Sequence, residues 1–180
     1  MARSLSNKLI WIDCEFNSLD FNKNVMLEIA VVVTDADLNI LDDGLEYVIS
    51  QPSTELNASN EWVKENLGDL IEKSRYYGTQ IKKAESAILE YLEVAHGITA
   101  ESAPLCGNSV GQDRRVLYRQ MPRLEKFLHY RNIDVSTMKE LLLRWKPDMT
   151  PYPKKQVHRA LEDIRESVGE MKYFKDQLGL

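Results

Sequence analysis

The chain has 180 residues, a formal net charge of −5, and 43% apolar and 28% charged residues, ordinary figures for one soluble globular domain and too small for two full cores. No basic tail offers capture of long duplex nucleic acid, no apolar run approaches the roughly 18–20 residues of a membrane span, and no signal-peptide core follows the opening MARSLSNK. Cys14 and Cys106 lack CxxC spacing, which points to reduced thiols in a cytoplasmic protein.

In chain order, LIWIDCEF reads as a buried strand. LEIAVVVTD and LNILDDGLEYVIS read as two more, with DADLN as the turn between them. Helical patterns follow in ASNEWVKENLGDLIEKS, with Ser or Asn available as N-cap, and in TQIKKAESAILEYLEVA, with Ile81, Ala84, Ile88, Leu92 and Ala95 on one face. SAPLCGNS reads as a short strand. The helix GQDRRVLYRQMPRLEKFL after it is kinked or divided by Pro122. RNIDVST reads as a strand, MKELLLRWK as a helix ending before Pro147, and HRALEDIRESVGEMKYFKDQL as a helix with Leu161, Ile164, Val168 and Met171 on one face. Three antiparallel strands followed by alternating helices and strands imply an α/β fold with a mixed sheet flanked by helices, the ribonuclease H-like type among the options. The whole chain, 1–180, is expected to form a single domain.

The acids in this framework need an explanation. Asp13 and Glu15 stand two apart on one strand and so share a face, with Cys14 pointing the other way as a small buried hydrophobe. Asp113 opens its helix in phase with Leu117, Gln120 or Met121, and Leu124, on the side that turns toward the core. Asp163 lies at the margin of the last helix's apolar stripe, and His158 at that helix's entrance. Converging carboxylates without a basic partner call for cations, and hard oxygen donors suit Mg²⁺ or Mn²⁺. Two such ions about 3.5–4 Å apart would activate a water and stabilise the leaving oxygen in phosphodiester cleavage. An imidazole, which exchanges its proton near neutral pH, is the natural base for that water.

The DxE of Asp13 and Glu15, Asp113 in GNSVGQDRR, and the HRALED of His158 to Asp163 resemble the three motifs of the DEDDh 3′–5′ exonucleases. The phrases LIWIDCE, PLCGNSVGQDRR, HYRNIDVST, KELLLRWKP and HRALEDIRES are similar to the oligoribonuclease family over nearly the whole chain. That resemblance implies a cytoplasmic homodimer that degrades very short RNA, chiefly 5′-phosphorylated dinucleotides such as pGpG, with two divalent cations, Mg²⁺ or Mn²⁺. It implies that Asp13, Glu15, Asp113 and Asp163 are catalytic metal ligands and that His158 is the general base. It also implies a substrate pocket. Leu19 would wedge against the bases and Trp62 would stack on one of them, worth about 1–3 kcal/mol per base. Asn108 and Ser109 would contact the substrate. Tyr130 and Arg131 would reach across a dimer interface, with Arg131, Ser136 and Thr137 on the terminal 5′ phosphate.

Two departures from the family stand out. Phe16, Asn17 and Ser18 replace its usual Met-Thr-Gly, removing the glycine that most easily takes positive φ, with Asn17 as its partial substitute, and the segment VKENLGDL after Trp62 is shorter and lacks its histidine. Arg114, Arg115, Arg119 and Arg123 read as a solvated helix face, and His96 and His129 have no role. Two other functions stay open: a DEDDh exonuclease trimming longer RNA 3′ ends or single-stranded DNA, and a catalytically silent nucleotide-binding module.

Overall fold

The computed structural model describes residues 6–20, 22–154 and 158–180; the start of MARSLSNK, residues 1–5, lies outside them. β1 (Lys8–Phe16), the long apolar β2 (Met26–Asp35) and β3 (Leu45–Val48) form an antiparallel meander. β4 (Pro104–Gly107) adds parallel to the other side of β1, and β5 (His129–Asp134) adds parallel to β4. The sheet order is β3-β2-β1-β4-β5, the mixed α/β arrangement expected. β1, β4 and β5 point the same way, so their carboxyl ends share one rim, where ligands of open α/β sheets bind.

Alternation along β1 sorts the two layers. Ile10, Ile12 and Cys14 face a core shared with α4 (Ile81–Glu90), α5 (Gly111–Gln120) and α6 (Pro122–Phe127). Trp11 faces the other way, with Ala30 and Val32, against α7 (Val135–Trp145) and α8 (Ala160–Gln177). Asp13 and Glu15 belong to this second face. A third apolar cluster covers the end of β2 with α1 (Ser53–Asn57), α2 (Glu61–Asn66) and α3 (Gly68–Tyr76). A bulge makes that cap possible: the β1–β2 register runs from Glu15↔Glu28 directly to Phe16↔Met26, and the extra residue, Leu27, packs with Leu56, Val63 and Leu70.

Several expectations change in detail. Only Leu45–Val48 of LNILDDGLEYVIS is continuous strand, and Ile40 makes an isolated bridge to Thr34. The helix read over 58–74 is two helices, α2 capped by Asn60, whose side chain accepts from Val63 N–H at 2.8 Å. Pro122 divides α5 from α6. Val135 to Thr137 open α7 instead of ending β5, because Asp134 caps that helix by accepting from Ser136 N–H at 2.9 Å. The arginine face is not simply solvated: Arg114 bonds Glu125, Asn132 and the His129 carbonyl, Arg119 bonds Asn24, and Arg123 bonds Ser86.

The α4 stripe also ends differently. Tyr91–Ala95 form a π-helical turn, whose extra residue per turn carries Ala95 out to solvent and His96 inward, where its Nε2 lies 3.0 Å from Asp42 Oδ2. No helix among the described residues is long and apolar enough to cross a membrane. The π register predicts that Ala95→Lys shifts stability by less than about 0.5 kcal/mol, whereas Leu92→Ala, inside the core, costs about 2–5 kcal/mol. Urea unfolding followed by circular dichroism measures both.

Candidate active site

β1 delivers Asp13 and Glu15 to the rim, and α8 brings Asp163 over them. Each of the three offers a carboxylate oxygen, and these oxygens lie within 4.8 Å of one another. Asp113, at the third position of α5 and only 5% exposed, stands outside this triad of ligand atoms. Its Oδ1 accepts the Cys14 N–H at 3.1 Å, so it grips the backbone between the two strand acids.

The electrostatics are those of carboxylates crowded in a poorly hydrated place. Burial pushes Asp13 well above the usual carboxylate range, and the charges of Asp113, Glu15 and Asp163 add to it. Glu15 is raised to about 7, mainly by burial and then by Asp163 and Glu28, with Arg159 opposing. Asp113 is raised to about 7 by burial, against the lowering effect of its backbone hydrogen bonds. Burial also raises Asp163, while His158 pulls it down. All-oxygen donors close enough to share an ion, each protonated more readily than it should be, suit a hard divalent cation, which would relieve the repulsion.

Two adjoining clefts meet at these acids. One, of about 190 Å³, is lined by Asp13, Asn108, Lys154, His158, Asp163, Glu166 and Ser167. The other, of about 360 Å³, is lined by Glu15, Phe16, Ser18, Leu19, Asn60, Trp62 and Val63. Trp62, 47% exposed on α2, presents its ring edge-to-face to the His158 imidazole at 5.1 Å, and Leu19 stands 76% exposed across from it. Leu19 and Trp62 therefore line one cleft beside the acids. His158 sits outside α8, as expected, with φ of 54°.

The loop departure resolves without a glycine. None of residues 16–20 takes positive φ: Asn17, expected to take over part of the glycine's left-handed role, turns the chain by hydrogen bonding instead. Asn17 is buried, its backbone N–H donates to Val25 O at 3.1 Å and its Oδ1 accepts Val25 N–H at 2.9 Å. Its Nδ2 donates to Glu55 O at 3.0 Å, and its carbonyl accepts Asn60 N–H at 3.0 Å. One asparagine thus ties the Leu19 loop to the cap that carries Trp62.

At the ends of β4 and β5, Asn108, Ser109 and Ser136 come together. Ser136 Oγ donates to Asn108 Oδ1 at 3.1 Å and accepts Ser109 N–H at 3.0 Å. Asn108 Nδ2 donates to Ser167 Oγ at 2.8 Å and to the buried Glu170 at 3.2 Å, and Glu170 pairs with Lys154 at 2.6 Å. Thr137 points instead to a shallow surface with Ser136, Glu140, Leu141 and Arg144. Tyr130 and Arg131 are not brought to this site: they lie at the start of the edge strand β5, its far end from Asp134, with the Arg131 guanidinium 5.2 Å from the Tyr130 ring centre. Lys154, Glu28 and Arg159 are further residues at the site that the sequence reading missed. Glu28 had left a visible signal, a lone acid inside the apolar run of β2.

A model of the RNase_T exonuclease family matches residues 10–171. The oligoribonuclease of Bordetella pertussis is 45% identical over 175 residues, covering 96% of this chain and 96% of its own. That of Photorhabdus laumondii subsp. laumondii is 46% identical over 179 residues, covering 98% and 97%. In structure the chain is similar to exonuclease I from E. coli in complex with single-stranded DNA, with a TM-score of 0.75 at 14% identity over 96% of this chain and 41% of that one. Exonuclease I from Methylocaldum szegediense gives a TM-score of 0.73 at 15% identity with the same coverage, 96% and 41%. The chain thus spans about two fifths of the exonuclease I molecules, with which it shares a fold. Identity that runs end to end along the bacterial relatives settles the kinship: the chain belongs to the exonuclease family, in its oligoribonuclease branch, and is a 3′–5′ exoribonuclease by that membership.

Proposed function

We propose that the whole chain acts as one catalytic domain that hydrolyses very short 5′-phosphorylated RNAs, chiefly dinucleotides, to mononucleotides. The observation that carries this reading is the meeting of the Asp13–Glu15–Asp163 oxygens with an aromatic-walled cleft, His158 standing where the two join. Asp13, Glu15 and Asp163 would hold two divalent cations, Mg²⁺ or Mn²⁺, with Asp113 as the fourth acid. Such a cation, when bound, eases ionisation of a water and offsets charge on the phosphoryl oxygens. His158 takes the proton of the attacking water as its oxygen bonds to phosphorus; the P–O3′ bond breaks, O3′ takes up a proton from solvent to become the 3′-hydroxyl of the remaining piece, and the terminal nucleoside 5′-monophosphate leaves. Leu19 and Trp62 grip the bases without reading sequence. Asn108, Ser109 and Ser136 offer hydroxyl and amide donors to the substrate, with Thr137 at their margin. Tyr130 and Arg131 serve a second copy of the chain in a cytoplasmic homodimer, Arg131 closing on the 5′ phosphate and so limiting length.

Hydrolysis of 5′-phosphorylated RNAs from two to eight nucleotides, with Mn²⁺, Mg²⁺ or EDTA, tests the reading. The dinucleotide is expected to be cut fastest, EDTA to abolish cleavage, and Asp13→Ala to abolish it with the circular dichroism unchanged. Equal or faster cleavage of the longer chains would keep the chemistry and remove the length limit. Trp62→Ala is expected to raise KM by about tenfold, in line with one lost base stack.

The raised carboxylates give a pH prediction with a definite sign. Their folded values lie above the unfolded ones, near 4, with Glu15 and Asp113 at about 7. Their contribution to stability is therefore full below about pH 4 and is lost as pH rises through about 7. Metal-free protein is expected to melt at lower temperature at about pH 8 than at about pH 5.5, through these groups, and Mn²⁺ to restore it at the higher pH. Thermal melts with and without EDTA read this directly.

A further inference from the structure

Glu28 is fully buried, 0% exposed, and lies directly across the β1–β2 ladder from Glu15. Like charges placed opposite each other on a sheet repel, and a buried carboxylate needs partners. Glu28 is not one of the acids whose oxygens cluster for a cation. Both its oxygens are taken by the two residues that follow His158. Arg159 Nη2 donates to Oε1 at 2.6 Å, Arg159 Nε to Oε2 at 3.2 Å, and Ala160 N–H to Oε2 at 3.1 Å. Arg159 occupies the N-cap position of α8 but supplies no side-chain cap, so a carboxylate from another strand does that work.

The anchor sits beside a residue in a strained backbone conformation. His158 holds φ of 54°, a left-handed conformation that a residue with a β-carbon keeps only when its surroundings fix it. On one side of its ring is the Trp62 edge, and behind it in the chain is the Arg159–Glu28 fork. Arg159 is also 3.8 Å from Glu46 and 3.9 Å from Asp69, weaker attractions toward which the guanidinium would move if Glu28 lost its charge. The Asp163 N–H bonds Arg159 O at 2.9 Å, so the same joint sets the first turn of the helix that carries a site acid.

We propose that Glu28 and Arg159 are positioning residues: their two-pronged ion pair, with the Ala160 amide, holds His158 in the strained backbone conformation that aims its imidazole at the reacting water. This rests on the reading of His158 as the base. Lysine in place of Arg159 keeps the charge but loses the fork, which makes it the sharper probe.

Steady-state kinetics on a 5′-phosphorylated diribonucleotide at saturating Mn²⁺, with Mn²⁺ binding by calorimetry, would be compared for Glu28→Gln, Arg159→Lys, the double variant Glu28→Gln/Arg159→Lys, and His158→Ala. The single variants are expected to lose about tenfold to a hundredfold in kcat, with KM and the Mn²⁺ Kd changed by less than about twofold. The double variant should be no slower than the slower single one, since both remove the same contact. Unchanged kcat in folded single variants, multiplying effects in the double variant, or losses that track KM and Mn²⁺ affinity would each overturn the proposal. If His158→Ala is slow while Arg159→Lys and Glu28→Gln are not, only the anchoring fails. If His158→Ala keeps full kcat, the base assignment fails and the anchoring with it.

Discussion

Negative charge gathered at the end of one strand is the constraint around which this molecule is built. Asp13 and Glu15 point into the same space, Asp163 descends on them, and Asp113 presses from behind. Taking ions out of water costs several kcal/mol each even after relaxation, and neighbouring like charges add to that. The raised protonation of all four acids records the tension. A divalent cation converts that tension into affinity, so the strain of the free protein and the chemistry of the loaded one have a single origin.

The surrounding elements deal with this charge in different ways. Apolar layers pack on both faces of β1, and its alternation aims Asp13 and Glu15 to one side. Asp113 spends one oxygen on the Cys14 amide, which fixes the backbone between the two strand acids. Glu28 would add a fifth uncompensated charge, and Arg159 neutralises it while pinning the entrance to α8. The β2 bulge turns Leu27 toward the cap helices, and Asn17 ties the loop after β1 to the same cap. The result is an apolar cleft fastened directly beside a polar one.

Much of this was legible in the sequence, because its strongest signals are local. Period-two alternation placed Asp13 and Glu15 on one face, and helical phase turned Asp113 toward the core and set Asp163 at the edge of its stripe. What was not legible depends on partners distant in the chain. No spacing rule announces that Glu28 meets Arg159 131 residues later, or that Asn17 serves both Val25 and Glu55. The π turn after α4 reversed the expected places of Ala95 and His96, because one wider turn shifts every later residue around the helix. Ser136 moved from strand to helix because Asp134 caps α7, a choice decided by one side-chain hydrogen bond. The loop that lost the family's glycine never needed positive φ, since Asn17 closes it by hydrogen bonding instead.

If the crowded acids are a cation site, their protons leave when the metal arrives. Calorimetric titration of the metal-free protein with Mn²⁺ at about pH 6.5, repeated in buffers of different ionisation enthalpy, measures that exchange directly. Saturable binding with net proton release is expected, weakened at lower pH and lost in Asp13→Asn. Binding without proton release, or binding that survives Asp13→Asn unchanged, would contradict it.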